Sequence, residues 1–227
     1  LDHLWSQGAQ SSRSLKHTLG DWTSRALREL AAKGLVTARE SDECSQDVRT
    51  AAETVLNLSQ DQERALTGLE ADLAVGKACT RLLFGVTGSG KTMVYARLAA
   101  KCLAQGRSVL LLVPEVALAL QIYTQVQGLV PEADVLLYHG SLPPSRRAAT
   151  FVRAGRDTGP VIVVGTRSAV FVPRQDWGVI IMDEEHDASF KQEERLPYQT
   201  KEVAYFLSQE QKGLLLLGSA TPDMKTF

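Results

Sequence analysis

The sequence predicts an α/β fold, in which helices cover both faces of a mostly parallel sheet, preceded by a small winged-helix-like domain. A glycine-rich loop joins an apolar segment to a helical pattern. Six short apolar segments alternate with helical patterns, as parallel strands buried on both faces do. We therefore expect two domains, residues 1–50 and 51–227. The expected strands are residues 81–84, 108–113, 135–138, 161–164, 179–182 and 214–217.

The N-terminal segment predicts two short helices followed by an extended wing. Apolar residues recur at three- and four-residue spacings between residues 15 and 30, and Asp21 can cap the second helix. Gly34 suits the left-handed end of that helix, and a polar stretch beyond residue 40 predicts a linker. Four basic side chains can either face phosphate groups or form an ordinary solvated helix surface: Arg13, Lys16, Arg25 and Arg28.

The composition is that of an ordinary folded protein. The 227 residues are 44% hydrophobic and 22% charged, and the net charge of −1 identifies no partner. Each apolar run is shorter than the roughly 20 residues of a membrane helix, and a secretory signal pattern is missing. We therefore expect a cytoplasmic location and no membrane partner. The three cysteines lack C-x-x-C spacing and predict reduced thiols rather than disulfides or a zinc site: Cys44, Cys79 and Cys102.

The glycine-rich loop has the G-x-x-x-x-G-K-[ST] spacing of a phosphate-binding loop. Its glycines allow several backbone N–H groups to point at one phosphate group. Lys91 places an ammonium against the β- and γ-phosphates, and Thr92 offers a hydroxyl to Mg²⁺. A glycine turn followed by a surface lysine is the alternative. The predicted nucleotide-binding residues of the loop are Gly85, Thr87, Gly88, Ser89, Gly90, Lys91 and Thr92.

An acidic cluster follows the fifth expected strand. Asp183 lies at the carboxyl end of that strand, where open α/β sheets gather ligands, and can hold Mg²⁺. Glu184 is well placed to orient the attacking water of a phosphoryl transfer, so Lys91, Asp183 and Glu184 are the candidate catalytic residues. Glu185 and His186 complete a D-E-x-H tetrad. A solvated acidic loop is the alternative.

These motifs resemble those of superfamily 2 helicases. In that superfamily a phosphate loop and a D-E-x-H tetrad occur together with a third motif, which is "GSATP" (218–222) in this sequence. Three further stretches resemble the PriA family of replication-restart DNA helicases: "LLVPEVALALQ" (111–121), "VVGTRSAVFVP" (163–173) and "DEEHDASFKQEERLPYQTKEVA" (183–204). The resemblance covers roughly residues 58–227. It implies a RecA-like P-loop NTPase lobe that uses ATP and Mg²⁺, with a winged helix before it.

The resemblance also implies roles for individual residues. Gln62 would read adenine, although an ordinary helix-surface glutamine is the alternative. Phe190 would stack on DNA bases, although core packing is equally open. Four residues would couple the hydrolysis state of bound ATP to the strength of DNA binding: His186, Ser219, Ala220 and Thr221. The implied DNA-binding residues are Pro114, Glu115, Gln121, Gly165, Thr166, Arg167, Ser168, Phe190, Lys191 and Tyr198.

The aromatic-rich stretch departs from the family pattern R-Y-x-A-R-D, because residues 197–202 read "PYQTKE". Both arginines are replaced. Lys201 keeps a positive charge but lacks the planar fork of arginine. Ala119 likewise replaces a usual threonine. A protein that binds forks but unwinds them poorly is therefore a second hypothesis.

The resemblance implies an ATP-dependent DNA helicase of 3′-to-5′ polarity that recognises stalled or branched forks, promotes primosome assembly and reloads the replicative helicase. Its implied partners are forked and single-stranded DNA, primosome proteins, single-stranded DNA-binding protein, and the replicative helicase or its loader. The family's second RecA-like lobe and the paired cysteines that hold zinc are not in this chain. We therefore expect a piece of a longer protein, with weak ATP hydrolysis by itself. Two alternatives remain: a fork-binding loader platform with vestigial ATPase, and a restriction or repair motor.

Overall fold

The computed structural model describes residues 58–86, 88–156, 159–194 and 196–223. The predicted winged-helix-like domain and the domain boundary near residue 50 lie outside these residues. Within them, no helix has both the length and the apolar character needed to cross a membrane. In chain order the elements are α1 (Gln60–Val75), β1 (Cys79–Phe84), α2 (Lys91–Ala104), β2 (Ser108–Leu112), α3 (Val116–Leu129), β3 (Val135–Tyr138), α4 (Pro144–Ala154), β4 (Ile162–Gly165), a 3₁₀ helix (Arg167–Phe171), β5 (Trp177–Met182), a second 3₁₀ helix (Ala188–Phe190), β6 (Lys191–Gln192), β7 (Tyr198–Gln199), α5 (Thr200–Glu210) and β8 (Leu214–Ser219).

The main sheet has six strands in the order β1-β8-β5-β2-β4-β3, and all of its pairings are parallel. All six predicted strands are present, with boundaries that differ by two residues at most, so the predicted α/β fold is confirmed. Strands β2, β4, β5 and β8 are buried along their whole length. Their almost continuous apolar sequences follow from this, because helices cover both faces of the sheet.

Two hydrophobic layers lie on opposite faces of the sheet, because alternate side chains of each strand point in opposite directions. On one face, α1, α2 and α3 pack through residues such as Leu73, Leu98 and Ile122 against Leu111 and Ile181. The other layer contains residues from α4, α5 and the first 3₁₀ helix, which meet the alternate strand residues, Leu110 and Ile180 among them. The sheet therefore forms the rigid middle layer that positions the loops at its edges.

The carboxyl ends of the strands meet at one edge, and backbone hydrogen bonds join the loops there. The N–H of Gly85, after β1, donates to the carbonyl of Ser219 at the end of β8, at 3.1 Å. The N–H of Asp183, after β5, donates to Leu112 of β2 at 2.9 Å. The strand order thus brings the phosphate loop, the acid pair and the "GSATP" segment together on neighbouring strands.

At the opposite edge, a buried arginine joins the start of β5 to the segment after α4. Arg174 donates from Nε to Oδ1 of Asp176 at 2.6 Å, and from a terminal nitrogen to Oδ2 at 2.5 Å. Its side chain is 4% exposed. Ser108 Oγ also donates to Asp176, at 2.8 Å. The guanidinium also donates hydrogen bonds to three backbone carbonyls, those of Ala154, Arg156 and Gly159.

Candidate functional site

The glycine-rich loop lies between β1 and α2, at the carboxyl edge of the sheet. Gly88 and Gly90 have φ values of 81° and 78°, which glycine adopts readily. Gly90 is the N-cap of α2, so the loop leads into the positive end of a helix that begins at Lys91. A helix start of this kind binds phosphate through its backbone N–H groups. Thr87, also predicted to belong to the loop, lies outside the described residues.

Gln62 holds this loop against the start of α1. Its Nε2 donates to the carbonyl of Ser89 at 2.7 Å, and its Oε1 accepts from the N–H of Ser59 at 2.8 Å. The N–H of Gln62 donates in turn to Ser59 Oγ, which completes a capping box. A Cβ added to Gly90 would lie 2.5 Å from Gln62 Nε2. The Gln62 amide can therefore lie this close to the loop because residue 90 has no side chain. Gln62 is therefore more than a surface side chain, and each end of its amide already has a partner that adenine would have to share or displace.

The ammonium of Lys91 joins the loop to the acid pair. Its Nζ donates to the carbonyl of Gly85 at 2.9 Å and lies 3.5 Å from Oε1 of Glu184. The Lys91 side chain is 9% exposed and the Glu184 side chain 25%. Thr92 follows in the first turn of α2 and is partly exposed. Two motifs that are far apart in the sequence thus lie side by side.

Asp183 is buried and is held by a tyrosine from α2. Tyr95 Oη donates to Asp183 Oδ1 at 2.9 Å, and the tyrosine ring is fully buried. Burial raises the pKa of Asp183 above its usual value, the Tyr95 hydrogen bond opposes this rise, and the charge of Glu184 adds to it. Burial and the neighbouring Asp183 carboxylate also raise the pKa of Tyr95, so its hydroxyl stays protonated and donates.

Glu184 has a left-handed backbone, with φ of 48°. This conformation is strained for a residue with a side chain, and such strain persists where neighbouring contacts impose it. The contacts here are the N–H of Glu185, which donates to Gly218 at 3.0 Å, and the N–H of Asp187, which donates to Glu184 at 2.9 Å. The strained turn brings the Glu184 carboxylate next to Lys91 instead of continuing β5.

These residues fit a phosphate group accompanied by a divalent cation. Lys91 and the start of α2 supply positive charge, while Asp183 and Thr92 supply the oxygen ligands that Mg²⁺ prefers. The loop is also closely folded, since a Cβ on Gly85 would lie 2.9 Å from Ser89 Oγ. The absence of a side chain at Gly85 thus leaves room for the Ser89 hydroxyl in the folded loop.

The predicted coupling residues lie together beside the acid pair. His186 Nδ1 and Ser219 Oγ are hydrogen-bonded at 2.8 Å, and His186 Nε2 lies 3.3 Å from Thr221 Oγ1. The N–H of Thr221 donates to Ser219 Oγ at 3.1 Å, with Ala220 between them. His186 Nδ1 is also 3.8 Å from Oε2 of Glu184. One imidazole therefore contacts both the segment after β8 and the acid pair.

The stretches predicted to bind DNA meet at the ends of β2, β4 and β5. Ser189 Oγ donates to the carbonyl of Pro114 at 3.2 Å. Arg167 donates to the carbonyls of Ser189 and Lys191 at 3.2 Å and 2.8 Å. The guanidinium of Arg167 is thus partly used to hold the β6–β7 hairpin against the 3₁₀ helix in which it lies. Glu115, Gln121 and the Lys191 side chain are exposed, and Thr166 is partly exposed.

Two predicted DNA-binding residues are packing residues in this structure. Gly165 is buried, and a Cβ there would lie 2.1 Å from the carbonyl oxygen of Tyr138, so it permits close strand packing. Phe190 is 4% exposed and belongs to the core layer beneath α5. The buried ring matches the core-packing alternative for Phe190 and leaves little of its face exposed for stacking on a base. Ser168 Oγ is buried without a hydrogen-bond partner among the described residues.

Tyr198 remains a partly exposed aromatic of the hairpin. Its ring makes an edge-to-face contact with Phe171 at 4.9 Å between centroids. Burial raises the pKa of the Tyr198 hydroxyl, while the charge of Arg167 opposes the rise. Phe171 is 46% exposed, so the pair presents an aromatic surface next to the meeting strand ends.

Comparison with known families agrees with this geometry. The model of the family described as DEAD/DEAH box helicase matches residues 59–227, which is most of the chain. The chain belongs to the DEAD/DEAH box helicase family. The described residues are thus the RecA-like lobe that the motifs predicted, and the superfamily resemblance is confirmed.

Relatives of this DEAD/DEAH box chain include replication restart proteins. It is 42% identical over 172 residues to replication restart protein PriA of Chlamydia muridarum, covering 75% of this chain and 22% of that protein. It is 33% identical over 210 residues to PriA of Bacillus subtilis, covering 91% of this chain and 26% of that protein. The chain therefore spans about a quarter of the length of these curated relatives. The predicted similarity to the PriA family is confirmed.

Solved structures share the fold of this DEAD/DEAH box lobe. The structure of RecG bound to a three-way DNA junction matches with a TM-score of 0.57 at 23% identity, covering 89% of this chain and 24% of that one. A hypothetical ATP-dependent RNA helicase from Sulfolobus tokodaii matches with a TM-score of 0.55 at 21% identity, covering 74% of this chain and 48% of that one. At these identities the likeness concerns the fold alone.

Sequence reasoning missed two contacts of this DEAD/DEAH box site. The first is the hydrogen bond between Tyr95 and Asp183. The second involves Glu185, which is 3% exposed, accepts from Lys201 Nζ, and accepts from the N–H of Asp223 at 2.9 Å. The apolar spacing around Tyr95 indicates a buried helix face, but nothing local indicates its partner.

Proposed function

We propose that the protein is an ATP-dependent DNA helicase of replication restart, and that the described lobe is its first motor lobe. The observation that carries this proposal is the 3.5 Å separation between Lys91 Nζ and Glu184 Oε1, with Asp183 beside them. Phosphate-binding and acidic motifs that contact each other support hydrolysis of a nucleoside triphosphate. The similarity to replication restart proteins supports DNA as the nucleic acid along which the motor moves.

Bound ATP with Mg²⁺ would supply the phosphoanhydride bond and a cation that neutralises charge on the transferring phosphate. Lys91 would exchange its bond to the Gly85 carbonyl for phosphate oxygens. Thr92 and Asp183 would hold the cation. Glu184 would orient the attacking water and accept a proton from it. Gln62 would keep the loop against α1 while sharing its amide with adenine.

The DNA-binding face would lie at the ends of β2, β4 and β5. Hydroxyl groups, backbone N–H groups and Lys191 can contact a sugar-phosphate backbone, which binds without reading sequence. Tyr198, beside Phe171, offers an aromatic surface for unpaired bases. The proposal includes fork recognition, 3′-to-5′ polarity, primosome assembly and reloading of the replicative helicase, and the similarity to replication restart proteins supports it. The corresponding partners are forked DNA, primosome proteins and single-stranded DNA-binding protein.

A fork-binding platform with weak ATPase is the second candidate. Pro197 and Lys201, which stand where the PriA family has arginine, favour it. The contact between Lys201 and Glu185 favours the motor, because it keeps a basic side chain of α5 on the tetrad. ATP turnover of the full-length protein, with and without forked DNA, separates the two candidates. Stimulation supports the motor, and tight DNA binding without stimulation supports the platform.

Replacement of Lys91 by alanine tests the nucleotide site itself. We expect Lys91→Ala to abolish ATP turnover of the full-length protein, because the ammonium on the β- and γ-phosphates is lost. Lys101→Ala is a matched control, since Lys101 lies on the same helix with 62% of its side chain exposed. Unchanged turnover in Lys91→Ala would remove the proposed site.

A further inference from the structure

Tyr95 lies one helical turn after Lys91 on α2, with its ring fully buried under the nucleotide site. A buried tyrosine hydroxyl needs a hydrogen-bond partner, since an unpaired one loses its contacts with water. The partner here is the Asp183 carboxylate at the end of β5, with 2.9 Å between Oη and Oδ1. The hydroxyl therefore links the helix that follows the phosphate loop to the first acid of the tetrad.

Gly218 leaves the space that this hydroxyl occupies. A Cβ at Gly218 would lie 1.9 Å from Tyr95 Oη, 3.1 Å from its Cζ and 3.2 Å from Asp183 Oδ1. Gly218 belongs to β8, which lies between β1 and β5 in the sheet. Three elements that carry separate motifs thus meet at one oxygen atom: α2, β5 and β8.

We propose that Tyr95 is a positioning residue of the nucleotide site, which orients Asp183 toward the metal-bound phosphates in the space that Gly218 leaves open. A carboxylate with Oδ1 held by one donor presents Oδ2 in a defined direction. Without that donor, the buried side chain of Asp183 can rotate to another partner. The inference rests on the proposed nucleotide site and adds to it a residue outside the recognised motifs.

The test compares wild-type full-length protein with Tyr95→Phe, which removes only the hydroxyl. Mn²⁺ binding in the presence of ADP is measured by electron paramagnetic resonance, and ADP binding in EDTA is measured by calorimetry. We expect roughly tenfold weaker Mn²⁺ binding, as for other residues that orient a metal ligand, with ADP affinity in EDTA unchanged. Mn²⁺ binding equal to that of wild type would overturn the inference, as would an equal loss in both measurements.

The measurements also separate this inference from the proposed function. If wild type shows no metal-dependent nucleotide binding, the proposed site itself fails. If wild type shows it and Tyr95→Phe retains it fully, only the role of Tyr95 fails. Tyr205→Phe, which removes a hydroxyl from a 52% exposed tyrosine of α5, is the matched control and should leave both affinities unchanged.

A second variant tests the geometry while keeping the tyrosine. In Gly218→Ala the new methyl group meets the Tyr95 hydroxyl, so Mn²⁺ binding should fall as it does in Tyr95→Phe. In the double variant the hydroxyl is absent and the nearest ring atom of residue 95 is Cζ, at 3.1 Å from the added Cβ, so the alanine should cost less than it does alone. Strictly additive losses would show that the two residues act independently and would overturn the inference.

Discussion

Lys201 donates a hydrogen bond from Nζ to Oε2 of Glu185 and so joins the start of α5 to the acidic tetrad. Helix α5 directly follows the β6–β7 hairpin, and the other oxygen of Glu185 accepts from the N–H of Asp223, beyond β8. One carboxylate, whose side chain is fully buried, thus contacts two segments that flank the predicted DNA-binding surface. Lys201 thus contacts the carboxylate of the residue that follows Glu184 of the candidate nucleotide site.

We expect Lys201→Met to uncouple DNA binding from ATP turnover in the full-length protein. The basal rate should persist, while stimulation by forked DNA should fall by roughly fivefold or more, since coupling energies are typically 1–3 kcal/mol. ATP turnover measured with and without DNA tests this expectation. Lys201→Arg keeps the charge and is the matched control, which should preserve stimulation. Equal stimulation in wild type and Lys201→Met would rule out a coupling role for this contact.

The loop glycines make a prediction about backbone strain and collision. Gly88→Ala and Gly90→Ala both place a side chain at positive φ, which costs about 1–2 kcal/mol each. Only Gly90→Ala also collides with Gln62 Nε2, at 2.5 Å, whereas a Cβ on Gly88 meets no described atom within 4 Å beyond its chain neighbours. Nucleotide affinity measured by calorimetry should therefore fall further in Gly90→Ala. In a Gln62→Ala background the difference between the two variants should shrink, and an unchanged difference would exclude the collision.

The buried arginine at the amino edge makes a prediction about stability. Arg174→Met removes the charged partner of Asp176 and leaves three backbone carbonyls without this donor. We expect the free energy of unfolding to fall by about 3–5 kcal/mol, as when a buried ion pair loses one member. Urea denaturation followed by circular dichroism measures the change. Arg81→Met is the control, because it breaks a more exposed bidentate pair with Asp72. It should lower the free energy of unfolding much less. Equal losses in the two variants would show that the burial of Arg174 does not matter for stability.

The same network predicts how stability depends on pH. Burial raises the pKa of Asp176, but hydrogen bonds from Arg174 and Ser108 outweigh burial, and the net pKa lies below the usual value of 3.8. Because the folded state binds the proton more weakly than the unfolded state, the stabilisation is complete above the unfolded pKa and is lost as the pH falls through the folded one. Wild type should therefore lose more stability than Asp176→Asn between about pH 5 and about pH 3. Parallel stability curves for the two proteins over this range would contradict the expected linkage.

Local motifs predicted much of the fold and the centre of the site. The loop glycines, Lys91 and Asp183 could be assigned because phosphate and cation binding demand particular residue types at fixed spacing next to a strand end. The strands could be located because burial on both faces makes them almost continuously apolar. Strand order was beyond sequence reasoning, since the backbone bonds of parallel pairs are made between residues far apart in the chain and leave no local pattern.

Side chains with two possible surroundings could not be assigned from sequence. Phe190 has charged and polar neighbours in the sequence and suits base stacking as well as core packing, whereas its burial depends on distant residues of the same core layer, such as Ala204. The burial of Arg174 has no local sequence signal, because its carbonyl partners lie 15 to 20 residues earlier in the chain. Tyr95 and Asp183 are 88 residues apart, and each fits its own local pattern without the other. Such pairings arise only when the layers pack.

The shared use of Gln62 has a dynamic consequence. One side chain both caps α1 and holds the phosphate loop through Ser89. Fraying of the first turn of α1 and opening of the loop are therefore expected to be a single event with one opening rate. Amide hydrogens at the two places should exchange with solvent deuterium in step. Inorganic phosphate, which would contact the loop but not Gln62, should then also slow exchange in the first turn of α1.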